Sequence, residues 1–205
     1  MRCFNVMADL RALFVSCLLV AGGVAQAADY EIVARSGDVE FRRYPSQSVV
    51  EASIRDVGDF GQSGNHGFRL LAGYIRGEND TGTDLSVTAP VLQSSTHLQF
   101  ILAADPPVDT LPRPTSTSIQ LRPLPQRVVA ALRYRGNWSE ARFREHARRL
   151  LESLERDDIS TLGEPRFARY NPPFVPGFAR RNEVLVTVTG VPRAANSARI
   201  ASRAR

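Results

Sequence analysis

Short runs of alternating apolar and polar residues recur between residues 30 and 190, and turn-forming residues separate them. Such runs are typical of β-strands with one buried face. The sequence predicts nine, at residues 30–36, 39–44, 48–54, 84–95, 97–103, 116–121, 128–134, 166–170 and 183–189. We expect the first three strands to form an antiparallel meander, and the sixth and seventh to form a hairpin across a proline-rich turn.

Two segments have helical periodicity instead. In the first, glycines at every third position from Gly58 to Gly67 precede an apolar stripe that starts at Phe68. This pattern predicts a helix with a flexible glycine-rich entry, whose N–H groups could meet an anionic ligand. The second helix is predicted to follow Ser139, a favourable N-cap residue. Many strands and one helix in each half indicate an α+β domain with a repeated order of elements.

The N-terminus has the features of a secretory signal. Arg2 and Arg11 precede a short apolar run, and residues 25–27 have the small-x-small pattern of a signal peptidase site. We therefore predict a signal peptide at residues 1–27 and a periplasmic or secreted mature protein. A lipoprotein anchored at Cys17 is a weaker alternative, because the residues after this cysteine are apolar.

The mature chain is predicted to have a single domain at residues 28–190 and a basic, solvated tail at residues 191–205. Both cysteines, Cys3 and Cys17, lie in the predicted leader. The mature protein would therefore have no disulfide and no thiolate metal site.

The net charge of +5 is concentrated at the two ends of the chain. All basic residues are arginine, and residues 28–192 carry 20 arginines against 20 acidic residues. Because this body is neutral, we expect no nucleic-acid partner. We also expect no stable membrane insertion after the leader is removed, and the sequence indicates no particular protein partner.

Motifs of hydrolases and metal sites are missing from the sequence. The three histidines, His66, His97 and His146, lack metal-site spacing, and no G-x-S-x-G motif occurs. His66 is the one candidate ligand among them, because it lies at the expected mouth of the first helix.

Five motifs, taken together, resemble one known family. They are Tyr30-Glu-Ile with Glu40-Phe-Arg-Arg-Tyr-Pro, Gly67-Phe-x-x-Leu-x-x-Tyr-Ile-x-Gly-x-Asn79, Thr88-Ala-Pro-Val, Tyr170-Asn-Pro-Pro-Phe-x-Pro176, and Arg180-Arg-Asn-Glu-Val. In this order and spacing they are similar to the SOUL haem-binding protein family, over residues 30–189. The resemblance implies a distorted antiparallel barrel of two sheets with two flanking helices, built from a repeated strand-helix-strand-strand unit. Bacterial effector-binding domains have a similar fold.

The resemblance also implies haem or another tetrapyrrole as the cofactor, bound in an apolar groove beside the first helix with arginines near the propionates. The candidate cofactor-binding residues are His66, Phe68, Arg69, Leu71, Tyr74, Ile75, Arg76, Phe174, Arg180 and Arg181. His66 is the candidate axial ligand of the iron, with Tyr74 or no protein ligand as alternatives. The sequence has Arg43 where some family members have a histidine.

The expected function is that of an exported tetrapyrrole carrier, buffer or scavenger rather than an enzyme. One alternative is a binding module of the same fold for a different amphipathic molecule. A second is a hydrolase that combines Glu183 or Glu51 with Tyr74.

Overall fold

A computed structural model describes residues 29–55 and 57–192. The predicted signal peptide and residues 193–205 of the predicted tail lie outside this part. The strands are β1 (Glu31–Ser36), β2 (Val39–Tyr44), β3 (Gln47–Ser53), β4 (Val87–Gln93), β5 (His97–Leu102), β6 (Ile119–Leu124), β7 (Arg127–Arg135), β8 (Thr161–Arg169) and β9 (Arg181–Val188). The helices are α1 (Phe60–Ile75) and α2 (Glu140–Arg156). The predicted α+β fold is confirmed.

All nine strands join one antiparallel sheet in the order β1-β2-β7-β9-β8-β4-β5-β3-β6. From β2 to β6, this order is symmetrical about the β4–β8 pair. On one side α2 packs on β7 and β9, and on the other α1 packs on β3 and β5. Each half is thus a strand-strand-helix-strand-strand unit whose first strand, β2 or β6, pairs with the other half. The predicted repeat of elements is therefore present. In addition, each half contributes its first strand to the other half of the sheet.

Two predicted strand pairings are wrong. β3 does not extend the β1–β2 hairpin into a meander but pairs with β5 and β6. β6 does not form a hairpin with β7, which pairs with β2 and β9. Local turn residues predict a reversal of the chain, but a strand can make that reversal and then pair with a distant strand.

The glycine-rich segment is helical from Phe60 onward, with only Gly58 outside the helix, so the prediction of a flexible entry is wrong. α1 begins at Phe60, and Asp59 caps it: its carboxylate accepts from the backbone N–H of Gln62 at 2.8 Å. Gly67 lies so close to the sheet that an added Cβ would come within 2.7 Å of Ile54 and 2.9 Å of Leu98. The glycines therefore allow close packing of α1, and the Asp59 carboxylate occupies the helix end expected to receive an anion.

Both helices cover the same face of the sheet. The buried cluster under α2 includes Phe167, and the cluster under α1 includes Leu71. A third cluster, which includes Ile101 and Leu185, lies on the other face, because alternate residues of a strand point to opposite sides. We call this second side the helix-free face.

No helix within the described residues is long and apolar enough to cross a membrane. The same residues contain no group of three or more histidine, cysteine, aspartate or glutamate side chains that could hold a metal ion.

Candidate functional site

The predicted wall residues on α1 fall into two sets. Leu71 and Tyr74 are fully buried, and the Tyr74 hydroxyl donates a hydrogen bond to the Pro112 carbonyl at 2.8 Å. These two side chains fill the core under α1, so they are not available to a ligand on the surface. Burial raises the pKa of Tyr74 to about 12, which keeps the phenol neutral.

Phe68 is accessible. Its side chain is 45% exposed and makes an edge contact with Phe100 of β5. Ile75 is half-buried, whereas Arg69 and Arg76 are exposed. A ligand could therefore reach Phe68 and the two arginines without any change in the core.

His66 lies in the middle of α1 instead of at its mouth, which corrects the expected position. Successive helical residues are about 100° apart, so His66 and Phe68 lie about 160° apart around the axis. Gly64 and Phe68 face β4 and β5, as their contacts with Gln93 and Phe100 show. One flat ligand cannot stack on Phe68 and also meet the His66 imidazole.

The connection between β8 and β9 exposes two further aromatic rings. Phe174 is 83% exposed and Phe178 is 80% exposed. Arg180 holds this connection together, because its guanidinium donates to the carbonyl oxygens of Val175, at 2.7 Å, and Pro173. The two rings therefore stand on a segment whose backbone is tied in place.

Two guanidinium groups lie against the ring of Trp138, which precedes α2. The Cζ atom of Arg180 lies 4.5 Å from the ring centroid, and that of Arg169 lies 5.1 Å from it. Neither arginine has a carboxylate within ion-pair distance in the described chain. Burial lowers the pKa of Arg169 to about 10, so the group stays charged at neutral pH. We call Trp138, Arg169 and Arg180 the tryptophan cluster.

Hydrogen bonds connect this cluster to α1. Arg169 donates to the side-chain oxygen of Gln93 at 2.9 Å, and the Gln93 amide donates to the Phe60 carbonyl at 2.8 Å. Phe68 lies about 12 Å further along the helix, at 1.5 Å per residue. No residue of α1 lines any of five clefts in the described part of the molecule.

Arg181, a predicted partner of a ligand, is already paired on the helix-free face. It donates to Glu183 at 2.7 and 3.0 Å. Glu183 also accepts from Arg42 at 2.6 and 3.0 Å and from the Tyr170 hydroxyl at 2.6 Å. Burial alone would raise the pKa of Glu183, but the hydrogen bonds and charge of Arg42 outweigh it and hold that pKa below its ordinary value. The positive charge of Arg181 is therefore already paired with the Glu183 carboxylate and is not free to pair with a ligand.

The two glutamates considered for a hydrolase do not lie on the same face of the sheet as Tyr74. Glu183 belongs to the buried ion-pair network, and Glu51 is held by Gln99 and Arg122, at 2.6 and 3.3 Å. Tyr74 lies beneath α1 on the opposite face of the sheet. Neither glutamate can act together with Tyr74.

Sequence reasoning missed Trp138, Arg169 and Phe178. The repeated pattern Pro173-Phe174 and Gly177-Phe178 was a signal for exposed rings in a loop. No local signal marks Trp138 and Arg169, because more than thirty residues separate them and they meet only because β7 and β8 both pair with β9.

The sequence model of the family described as SOUL heme-binding protein matches residues 25–187. The comparison with curated protein sequences gave no match.

Among solved structures, the chain is similar to the EcmrR C-terminal domain, with a TM-score of 0.58 and 13% identity, over 79% of this chain and 99% of that one. EcmrR in its complex with DNA gives a TM-score of 0.56 and 14% identity, over 75% and 57%. A hydrolase from Listeria innocua gives a TM-score of 0.47 and 9% identity, over 76% and 94%. At these identities the likeness concerns the fold alone.

Proposed function

The chain belongs to the SOUL heme-binding family, and on that premise we propose that it binds haem or a related tetrapyrrole on its helix-covered side. The resemblance found in the sequence is confirmed by the match over residues 25–187. The observation that carries the proposal is that the connection with the exposed rings Phe174 and Phe178 is held by Arg180, which shares the Trp138 ring with Arg169, and that neither arginine has a carboxylate partner within the described residues.

The chemistry of these side chains suits a porphyrin, which is a flat apolar disc with two carboxylates. Phe174 and Phe178 offer rings that would gain burial against the disc. Arg180 and Arg169 offer guanidinium groups for the carboxylates. Arg69 is exposed on α1 but lies about 140° around the helix axis from Gly64, which faces Gln93, so it is not part of this group.

We propose that binding rests on apolar contact and carboxylate pairing, without an iron ligand from His66. His66 lies about 160° around the axis of α1 from Gly64, which faces Gln93 and thus the side of the tryptophan cluster, and this supports the view. Replacement of His66 by alanine should then leave the Soret spectrum of bound hemin unchanged. A shifted spectrum in that variant would assign the axial position to His66 instead.

A hemin titration of residues 28–205, followed by Soret absorbance, tests the proposal. We expect saturation near one equivalent, and weaker binding by about tenfold or more in Phe178→Ser, since burying a phenylalanine is worth about 1.5–3 kcal/mol. Arg180→Gln should also weaken binding.

Leu162→Ser is the matched control, because Leu162 is 58% exposed on β8 but lies outside the proposed site. Its hemin affinity should equal that of the wild type. Equal losses in Phe178→Ser and Leu162→Ser would show that hemin adheres to apolar surface without a site. The absence of saturable binding would favour a different amphipathic ligand on the same fold.

We further propose that the protein is an exported carrier, buffer or scavenger and not an enzyme. The leader-like sequence of residues 1–27 supports export, and cleavage before Ala28 would be read from the mass of the mature protein. A carrier must release its ligand, so transfer of hemin to apomyoglobin within minutes is expected.

A further inference from the structure

The connection between β8 and β9 carries two aromatic rings at one end of the sheet. Residues 171–179 include three prolines, Phe174 and Phe178, and no charged residue. The two rings are 83% and 80% exposed, more than any other large apolar side chain of the described residues. Single exposed apolar residues are common on protein surfaces, but two such rings on one uncharged segment indicate an interaction surface.

The neighbouring connection between β7 and α2 supports this segment. Gly177 lies so close to Asn137 that an added Cβ would collide with the Asn137 side chain. The Arg180 guanidinium lies against the ring of Trp138 and donates to the Val175 carbonyl at 2.7 Å. The backbone that carries the rings is therefore in position before any partner binds, which lowers the entropic cost of binding.

Four arginines lie around the same two connections. Arg169 and Arg180 belong to the tryptophan cluster, Arg135 ends β7, and the guanidinium of Arg142 lies beside Gly136. None of the four has a carboxylate within ion-pair distance in the described chain. We call these arginines, together with Phe174 and Phe178, the basic tip.

The acids near the basic tip are already paired. Glu183 is fully buried and bound to Arg42 and Arg181. Glu140, at the start of α2, accepts from Arg144 at 2.6 Å. The basic tip therefore presents a net positive charge around two exposed rings.

We propose that the basic tip docks the protein on the surface of an anionic lipid bilayer. Phe174 and Phe178 would enter the boundary between headgroups and acyl chains, and the arginines would contact the anionic headgroups. Residues 171–180 line none of five clefts in the described part of the molecule. A peptide partner would need such a groove for its side chains, whereas a bilayer needs none. The docking is peripheral, and no segment crosses the bilayer.

This proposal does not rest on haem binding, although the rings and the tryptophan cluster also belong to the proposed haem site. Arg135 belongs to the docking surface alone. Loss of vesicle binding without loss of hemin binding in Arg135→Gln would therefore separate the two proposals. The vesicle experiment is done without hemin, so either proposal can fail while the other holds.

Sedimentation of residues 28–205 with lipid vesicles tests the docking. With vesicles of phosphatidylglycerol and phosphatidylcholine in equal amounts, the bound fraction should rise to saturation with lipid. Vesicles of phosphatidylcholine alone should bind at least about tenfold more weakly. Phe178→Ser should weaken binding to the anionic vesicles by about tenfold, and Arg135→Gln by about fivefold. The four arginines of residues 193–205 are present in every variant, so these differences report on the basic tip.

Leu162→Ser and Arg113→Gln are the matched controls. Leu162 is 58% exposed at the opposite end of β8. Arg113 is exposed beside Asp80 in the other half of the molecule and makes no ion pair within the described residues. Both variants should bind anionic vesicles as the wild type does.

Three results would overturn the proposal. The first is no saturable binding of the wild type to anionic vesicles. The second is a loss in the controls as large as in Phe178→Ser and Arg135→Gln, or no loss in these two variants, which would indicate general charge attraction. The third is self-association of the wild type without vesicles that Phe178→Ser abolishes, which would assign the rings to a second copy of the chain.

Discussion

Replacement of Glu183 by glutamine tests the buried ion-pair network that joins β2 to β9. Glu183 is fully buried and Arg42 is 2% exposed. The carboxylate accepts from Arg42 at 2.6 and 3.0 Å and from Tyr170 at 2.6 Å. Glutamine would keep one acceptor oxygen and turn an amide donor toward the guanidinium groups, so Arg42 would lose its main counter-charge.

Removal of one member of a buried ion pair costs about 3–5 kcal/mol. Arg42 retains Glu40 at 2.7 Å, a partner that is 27% exposed, so we expect the lower part of that range, about 3–4 kcal/mol. For a domain of this size, each kcal/mol lowers Tm by about 2–4 °C, which gives a fall of about 6–16 °C. Urea unfolding measures the free energy, and an unchanged m-value would show that the native state is intact.

Glu152→Gln is the matched control. Glu152 accepts from Arg148 at 2.6 Å, the same as the shortest Arg42–Glu183 distance, but both members of this pair are more than half exposed on α2. Its loss should cost no more than about 0.5 kcal/mol. If Glu183→Gln costs no more than Glu152→Gln, burial does not strengthen the network and the reasoning is refuted.

The stability of the wild type and of Glu183→Gln should also depend differently on pH. Because the pKa of Glu183 is lowered in the folded state, its contribution is complete above the ordinary glutamate pKa and is lost only as pH falls through the depressed value. The stability difference between wild type and Glu183→Gln should therefore be constant from neutral pH to about pH 5 and shrink in stronger acid. A difference that grows with acid would contradict this sign.

Two further predictions concern α1. Gly67→Ala should destabilise the protein by about 1–3 kcal/mol in urea unfolding, since the added Cβ meets Ile54 and Leu98 at 2.7 and 2.9 Å. In the control variant Gly61→Ala, the added Cβ would meet only the Asp59 side chain, at 3.4 Å. This change should stabilise the protein by up to about 1 kcal/mol, because alanine has a higher helix propensity than glycine. Equal effects of the two changes would refute the packing argument. Tyr74→Phe should cost about 1 kcal/mol through the lost bond to the Pro112 carbonyl. Ultraviolet titration of the wild type should show a tyrosine ionisation near pH 12, and this ionisation should be missing in Tyr74→Phe. Because the pKa of Tyr74 is higher in the folded than in the unfolded protein, the stability that Tyr74 contributes is lost as pH rises above about 10.

Part of the candidate site could be found from local sequence. The Asn-Pro-Pro-Phe174 motif marked a loop, and prolines there cannot continue a strand, so an exposed aromatic ring was a reasonable prediction. Leu71 and Tyr74 could not be separated from Phe68 in the same way, because helical periodicity gives two apolar stripes. The contact of α1 with β3 and β5 decided which stripe is buried.

α1 begins at Phe60, within the glycine-rich segment and earlier than predicted, for a related reason. Glycines lower helix propensity by up to about 1 kcal/mol each, so a glycine-rich segment predicts a loop. Here Gly64 and Gly67 gain close contact with Gln93 and Leu98, and the capping box at Asp59 satisfies the first turn. Tertiary packing outweighs local propensity at these positions.

The sequence by itself determined the presence and repeated order of nine strands and two helices, and the family, because alternation, turn residues and motifs are local properties of the chain. Only the tertiary structure decided which strands pair and which charges remain free. β2 and β6 are exchanged between the halves, which pairs Arg42 with Glu183 and leaves Arg127 and Arg166 with neutral partners. Contacts between residues more than a hundred positions apart depend on burial across the whole sheet, and no local pattern contains that information.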